Sequence, residues 1–346
     1  MRILAVLLAT ALSLAAATRH VRVIERTDVL AGASTGPAGP YERLVMKAEF
    51  AVDPKLPANR IIADLDLAPK SEDGLVEFSA DAIVLKPRDP AKGNGTILFE
   101  VSNRGGMGLL RTFDIGAAND EFGDRYLLEQ GYTLVWVGWQ FDVPAKQALK
   151  LYTPIARRAD GQPIVGLIRS EYIPSTRSTT MPLADRNHVA YAPIDQNDAE
   201  ARLTVRATPE SAPRPIPRAA WKFADDASIA LPAGFEPGRI YELVYRAQNP
   251  PIAGLGPAAI RDFISYLRHG GASVTSALGD QPRYLKRAIG FGTSQSGRFL
   301  RTFLYDGFNA DEKGRIVFDG VWPHVAGAGR GSFNIRFAQP GRGELG

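Results

Sequence analysis

Residues 284–308 read YLKRAIGFGTSQSGRFLRTFLYDGF, and this stretch decides the architecture. The apolar run over 285–291 predicts a strand. Phe299, Leu300, Phe303 and Leu304 then fall at i, i+1, i+4 and i+5, a spacing that gathers side chains on one face of a helix. Between strand and helix lies Gly292-Thr293-Ser294-Gln295-Ser296-Gly297. A chain that passes from strand to helix within a residue or two strains its turn residue and crowds the positions two before and two after it. That crowding discriminates between the serines. Ser294 is flanked at those positions by Gly292 and Ser296, both small; Ser296 would be flanked by Ser294 and Arg298, and an arginine does not fit. Ser294 is therefore the candidate nucleophile, on a nucleophile elbow. The same six letters also read as a Gly/Ser turn with a serine helix cap, but the strand before and the helix after favour the elbow.

The rhythm around this stretch predicts an α/β fold. Residues 96–102, TILFEVS, and 134–139, LVWVGW, are near-continuous apolar runs of the kind a parallel strand buried on both faces requires, with a helix expected over 120–130 between them. A second helix begins near Pro257, presents Ile260, Phe263, Ile264 and Leu267 on one face, and ends at His269-Gly270-Gly271. Before residue 90 the pattern is short extended segments, 22–29, 44–52 and 76–85, separated by turn residues. They predict an antiparallel edge leading into a mostly parallel, doubly wound sheet.

Residues 142–251 break the alternation with proline, charge and short extended pieces at 164–173, 203–207 and 239–246. So long a stretch without structure of its own is improbable in a compact domain, so it is read as a β-rich insertion or cap. Pro213-Arg214-Pro215-Ile216-Pro217 within it reads as a stiff linker. The halves of the α/β domain are then 18–141 and 252–346. Residues 1–17 carry one arginine, an apolar run from Ile3 to Leu14 and Ala15-Ala16-Ala17, the pattern of a secretory signal. The run is too short for a comfortable membrane span, so a secreted or periplasmic protein is expected, with no stable span once the signal is removed.

At 346 residues, with 45% hydrophobic and 23% charged residues, the composition is that of a soluble globular protein. The chain has no cysteine, which excludes thiol catalysis, disulfides and cysteine-bound metal. Its net charge of +4 is mild and the 41 Lys and Arg are scattered, so nothing points to nucleic acid. No HExxH or paired-histidine spacing predicts a metal, and the glycines at 327–331 lack the lysine of a phosphate loop. Arg298 and Arg301 on the elbow helix suit solvated surface better than an acidic substrate group.

Taken in order, these elements resemble the α/β-hydrolase superfamily over roughly residues 96–318 apart from the insertion, with Gly292-x-Ser294-x-Ser296-Gly297 as the most specific motif. GFGTSQSGRFLRTFLYDGFN and GRIVFDGVWPHVAGAGRGSFNIRFAQP are similar to a group of large secreted bacterial proteins named for their α/β-hydrolase domain. The resemblance implies a serine hydrolase acting on an ester or related acyl bond of a small molecule, without a cofactor. One oxyanion donor would be the backbone N–H of Gln295, which follows the nucleophile at a helix N-terminus. The second would come from Asn103-Arg104-Gly105-Gly106, which stands in the place of an HGGG-type loop with arginine for its histidine; Arg104 and Gly105 are the candidates.

Superfamily order places an acid and then a histidine after the serine. After Ser294 only one further strand is visible, over 315–319, where the superfamily sheet adds two more before its histidine. The usual positions of both partners would therefore lie beyond Gly346, and the C-terminal strands are expected to be missing from a truncated chain. Within the chain, His324 is the candidate base and Asp319 the candidate acid, their spacing placing both on one short loop. His20, His188 and His269 precede the serine and are read as incidental. The leading expectation is a secreted serine esterase; the alternative is a catalytically silent α/β-hydrolase-like protein that binds through its insertion.

Overall fold

The computed structural model describes residues 17–144, 149–184, 188–270, 278 and 284–340; apart from Ala17, the signal-like segment lies outside the described residues. Three long strands come first: β1 (Ala17–Asp28), β2 (Tyr41–Val52) and β3 (Val76–Pro87), paired antiparallel in that order. Along β2, Leu44, Met46 and Ala48 enter one core while Tyr41 enters another, so the period of two covers both faces of the sheet. Then β4 (Thr96–Glu100) and β5 (Thr133–Val137) are buried at every position and pair parallel, with β5 also antiparallel to β3. Between them α1 (Leu109–Phe113) comes first, and the expected helix over 120–130 is reduced to α2 (Tyr126–Glu129). The cause is local. Gly116 and Gly123 take positive φ, and the Asp124 carboxylate draws the Ile115 and Tyr126 N–H groups (3.1 and 3.2 Å) into a compact loop instead of a helix.

Strand β6 (Leu151–Tyr152) still belongs to the main sheet, antiparallel to β3. Beyond it lie β7 (Val165–Tyr172), β8 (Ser178–Pro182), β9 (Arg202–Arg206), β10 (Arg214–Ile216), β11 (Lys222–Asp225), β12 (Ser228–Phe235) and β13 (Ile240–Gln248). They form two antiparallel sheets, ordered β10-β9-β13-β7 and β11-β12-β8. The segment read as a stiff linker supplies β10, where an edge position tolerates Pro215. Leu203, Trp221, Ile229, Phe235, Leu243 and Tyr245 give this lobe a core of its own, and Phe141 and Phe337 pack against both it and the main core. The lobe joins the sheet through a narrow neck: Ala156 donates to the Pro250 carbonyl (3.0 Å) and Ile252 to that of Pro154 (3.1 Å).

Next come α3 (Leu255–His269), β14 (Arg287–Thr293), α4 (Gln295–Tyr305) and β15 (Gly320–His324). The main sheet runs β1-β2-β3-β5-β4-β14-β15, and β5, β4, β14 and β15 are mutually parallel. Helices α3 and α4 share one core with Phe99 and Val135; α1 and α2 share the opposite core with Leu98, Trp136 and Phe291. The sheet is thus mixed and covered on both faces, and its antiparallel part, carrying the three longest strands, is broader than an edge. Buried within α3, Arg261 pairs with Asp262 at 2.7 Å and donates to the Asn59 side chain at 2.8 Å. Among the described residues no helix is long and apolar enough to cross a membrane.

Two boundaries differ from the sequence reading. The elbow strand is shifted two residues toward its serine, and residues 315–319 are not the next strand. Val317 and Phe318 are buried, but their N–H groups bond to Asn309, through its carbonyl (3.0 Å) and its side-chain oxygen (2.8 Å). Sheet pairing begins at Gly320, opposite Ile289.

Candidate active site

Three chain reversals meet at the carboxyl ends of β4, β14 and β15, adjacent parallel strands spaced about 4.8 Å apart. This edge is where α/β sheets present their ligand-binding groups. At each reversal a non-glycine residue has positive φ: Arg104 (53°), Ser294 (57°) and Val325 (42°). Backbone strain of this kind costs about 1–3 kcal/mol per residue and concentrates at functional sites.

Ser294 has φ 57° and ψ −114°, between the last strand residue and the first helical one. Its N–H donates to the His324 carbonyl and its own carbonyl accepts from the Arg298 N–H, both at 2.9 Å. The turn closes so tightly that a Cβ on Gly292 would lie 2.5 Å from the Ser296 carbonyl oxygen, and one on Gly297 would lie 2.8 Å from the carbonyl oxygens of Gly292 and His324. The two serines are separated by exposure: Ser294 is open to solvent, whereas Ser296 is buried and, among the described residues, its hydroxyl has no partner. Gln295 starts the helix, where first-turn N–H groups lack intrahelical acceptors, and its side-chain amide donates to the Pro340 carbonyl at 2.8 Å.

The loop after β4 is a tight turn. Gly106 N–H donates to the Asn103 carbonyl at 3.1 Å, and both central residues, Arg104 and Gly105, have positive φ, as in the turns that reverse a chain in two residues. Gly105 is buried, and among the described residues its N–H enters no hydrogen bond. Two residues not singled out in the sequence hold this turn. Glu100, buried on β4, accepts from Gly108 N–H and Leu109 N–H (2.8 Å each) and from Trp136 Nε1 (2.5 Å), fixing the chain just past the turn. Burial pushes its carboxyl above the ordinary range, against the pull of those three donors. Trp139 donates through Nε1 to the Ser102 carbonyl (2.7 Å) and packs on Phe299 of α4 with ring centroids 4.3 Å apart, so one side chain braces both the turn and the elbow helix. The sequence signals were a lone carboxylate in an otherwise apolar strand and a tryptophan closing the next.

The candidate acid and base are not brought together. Asp319 precedes β15 and His324 ends it, so the whole strand, roughly 16 Å, separates them. Asp319 is engaged elsewhere, accepting from Ala288 N–H at 2.8 Å and pairing with Arg268 at 3.2 Å. The expectation of one short loop failed because the intervening residues extend along β14. His324 does reach the elbow, through its backbone. Its exposed ring stacks on Phe291, centroids 6.3 Å apart at 24°. Among the described residues neither the Ser294 hydroxyl nor the His324 imidazole enters a hydrogen bond. Of the other histidines, His20 lies on β1 at the far border of the sheet and His269 ends α3. His188 is buried in the lobe, where the neighbouring Val189 N–H donates to the Asp142 carbonyl at 2.8 Å. Arg301 donates to the Gly327 carbonyl at 2.6 Å, which braces the loop after β15. Among the described residues no group of three or more His, Asp and Glu side chains could hold a metal ion.

Sequence comparison agrees with the geometry. A family model described as an alpha/beta hydrolase domain matches residues 63–343. No curated protein and no solved structure matches significantly.

Proposed function

Since this chain belongs to the alpha/beta hydrolase domain family, whose function is of the hydrolase type, we propose that it is a serine hydrolase of ester bonds with Ser294 as nucleophile. The observation that carries the proposal is the Ser294 backbone, held in a strained conformation with its side chain exposed at the carboxyl edge of the parallel sheet. The Ser294 Oγ attacks the carbonyl carbon of the substrate, and the negative charge developing on the carbonyl oxygen is received by backbone N–H groups of Gln295 and of the Arg104-Gly105 turn. Collapse of the tetrahedral intermediate breaks the bond to the alcohol and leaves an acyl-serine, which water then hydrolyses. Among the described residues the imidazole at this edge is that of His324, which takes the Oγ proton as the bond to the carbonyl carbon forms and returns it to the departing alcohol. The signal-like residues 1–17 support a secreted or periplasmic site of action.

Among the described residues the Ser294 hydroxyl is unengaged, which favours a second reading, a catalytically silent protein that binds a ligand or partner through its β-rich lobe. A fluorophosphonate probe separates the two. Adduct formation on Ser294, lost in Ser294→Ala, supports the hydrolase; labelling that survives that change and disappears with Ser296→Ala overturns the assignment. Turnover of short p-nitrophenyl esters indistinguishable from the Ser294→Ala background selects the silent reading.

A further inference from the structure

A cleft of about 340 Å³ opens between α1, the loop after it and the sheet. Its position is distinct from that of Ser294: Trp136, in its wall, lies on β5, two strands from β14 and in register with Phe291 below the serine. Leu85, Trp136, Leu109 and Met107 supply an apolar lining, and Arg43 and Arg111 supply two guanidinium groups. The pairing of β2 with β3 explains one of these cations, because Arg43 lies directly across from Leu85 and so stands on the same face of the sheet.

Four features point to a ligand rather than to an idle surface dent. Arg43 gives one terminal nitrogen to Glu121, yet its Nε is buried and, among the described residues, has no acceptor. A buried donor on a cation is expensive to leave unmade. Arg111 is exposed at the cleft and, among the described residues, pairs with no carboxylate. With Glu121 also in the lining, the charges amount to two cations and one anion, which complements a single negative charge. The volume lies in the range of small-molecule sites.

We propose that this cleft binds a small amphipathic monoanion, a carboxylate carried on an apolar or aromatic body, with Arg43 and Arg111 holding the carboxylate and Leu85, Leu109 and Trp136 the body. Ser294 is not among the residues lining the cleft, so the test uses the Ser294→Ala chain. Isothermal titration with 1-naphthoate, and with 1-naphthylmethanol as the uncharged counterpart, reads affinity and stoichiometry. The expected result is one naphthoate per chain, with affinity reduced about tenfold or more by Arg111→Gln and by Arg43→Gln, and weak binding of the alcohol that neither variant changes. Arg111 is exposed, so its variant folds; Ala118→Trp, which fills the cleft, removes binding while the melting temperature reports that the fold is intact. Equal affinity for acid and alcohol, indifference to Arg111→Gln, or no binding of naphthoate overturns the proposal.

Discussion

The closeness of the elbow can be tested by adding one methyl group. Gly292 lies outside the left-handed region, so alanine is acceptable to its backbone and any penalty is one of contact. The added Cβ would meet the Ser296 carbonyl oxygen at 2.5 Å, its carbon at 2.6 Å and the Gly297 nitrogen at 3.0 Å, all backbone atoms of the first turn of α4. Nothing flexible is available to swing aside, so strand and helix must separate by roughly 0.9 Å to bring that oxygen to the 3.4 Å of ordinary contact. Overpacking of this kind costs about 1–3 kcal/mol, which in a chain of 346 residues lowers Tm by roughly 1–4 °C. A displacement of that order at the reacting oxygen costs about 10²-fold in rate. Gly320→Ala is the control, since a Cβ there meets nothing within 4 Å. The two variants are compared by thermal unfolding and by the rate of fluorophosphonate labelling. A Gly292→Ala chain whose Tm stays within about 1 °C of the parent and whose labelling rate stays within about twofold would refute the steric account of the elbow.

Glu100→Gln replaces an acceptor of three donors by a side chain that must turn its NH2 toward one of them; an expected loss of about 1–3 kcal/mol is read as a lower urea midpoint, together with slower labelling of Ser294, and an unchanged midpoint contradicts the role given to Glu100. Burial, reinforced by the neighbouring Asp262, pushes the Glu312 carboxyl up to about 7 from an ordinary value of 4.5. The folded chain therefore binds more protons than the unfolded one between those values, and stability falls as pH rises through that window. The fall attributable to Glu312 is about 3 kcal/mol. Glu312→Gln should flatten the urea midpoint between pH 5 and 7 relative to the parent, and parallel profiles would contradict the assignment. Asp114, pushed by burial to about 6, leaves a smaller slope of the same sign in the variant, whereas Asp311, held down to about 2 by Ser265 and Arg315, changes state below the window.

What could be read from the sequence followed how local its cause is. The elbow was legible because its determinants are neighbours: a buried strand, small residues where backbones touch, and an apolar helical face. The next strand was not. Residues 315–319 look like a strand because Ile316, Val317 and Phe318 are branched or aromatic, and Val317 and Phe318 are indeed buried; their hydrogen bonds go to Asn309, a tertiary choice no window of sequence contains. The real strand contains Pro323, which argues against a central position. Among the described strands β15 has a neighbour on one side only, so the missing N–H breaks nothing. That exchange also undid the Asp319–His324 pairing, since a loop shortened in imagination became a strand in space. Glu100 was visible as a charge in an apolar run, but its three donors come from a turn and a neighbouring strand whose approach depends on the completed sheet.

The neck of the lobe has a consequence for how such a chain diverges. Where the chain leaves the sheet near Pro154 and returns near Ile252, the two crossings are already joined by backbone hydrogen bonds. Whatever lies between them is held at its base regardless of its length or strand count. Insertions and deletions that spare the lobe's contacts with the main body can therefore accumulate without disturbing the register of β14. A transplanted lobe must match its host at those two crossings, where it touches Phe141 and Phe337, and where Tyr191 donates to the Ala338 carbonyl (2.9 Å) and Arg157 N–H to that of Leu67 (2.9 Å).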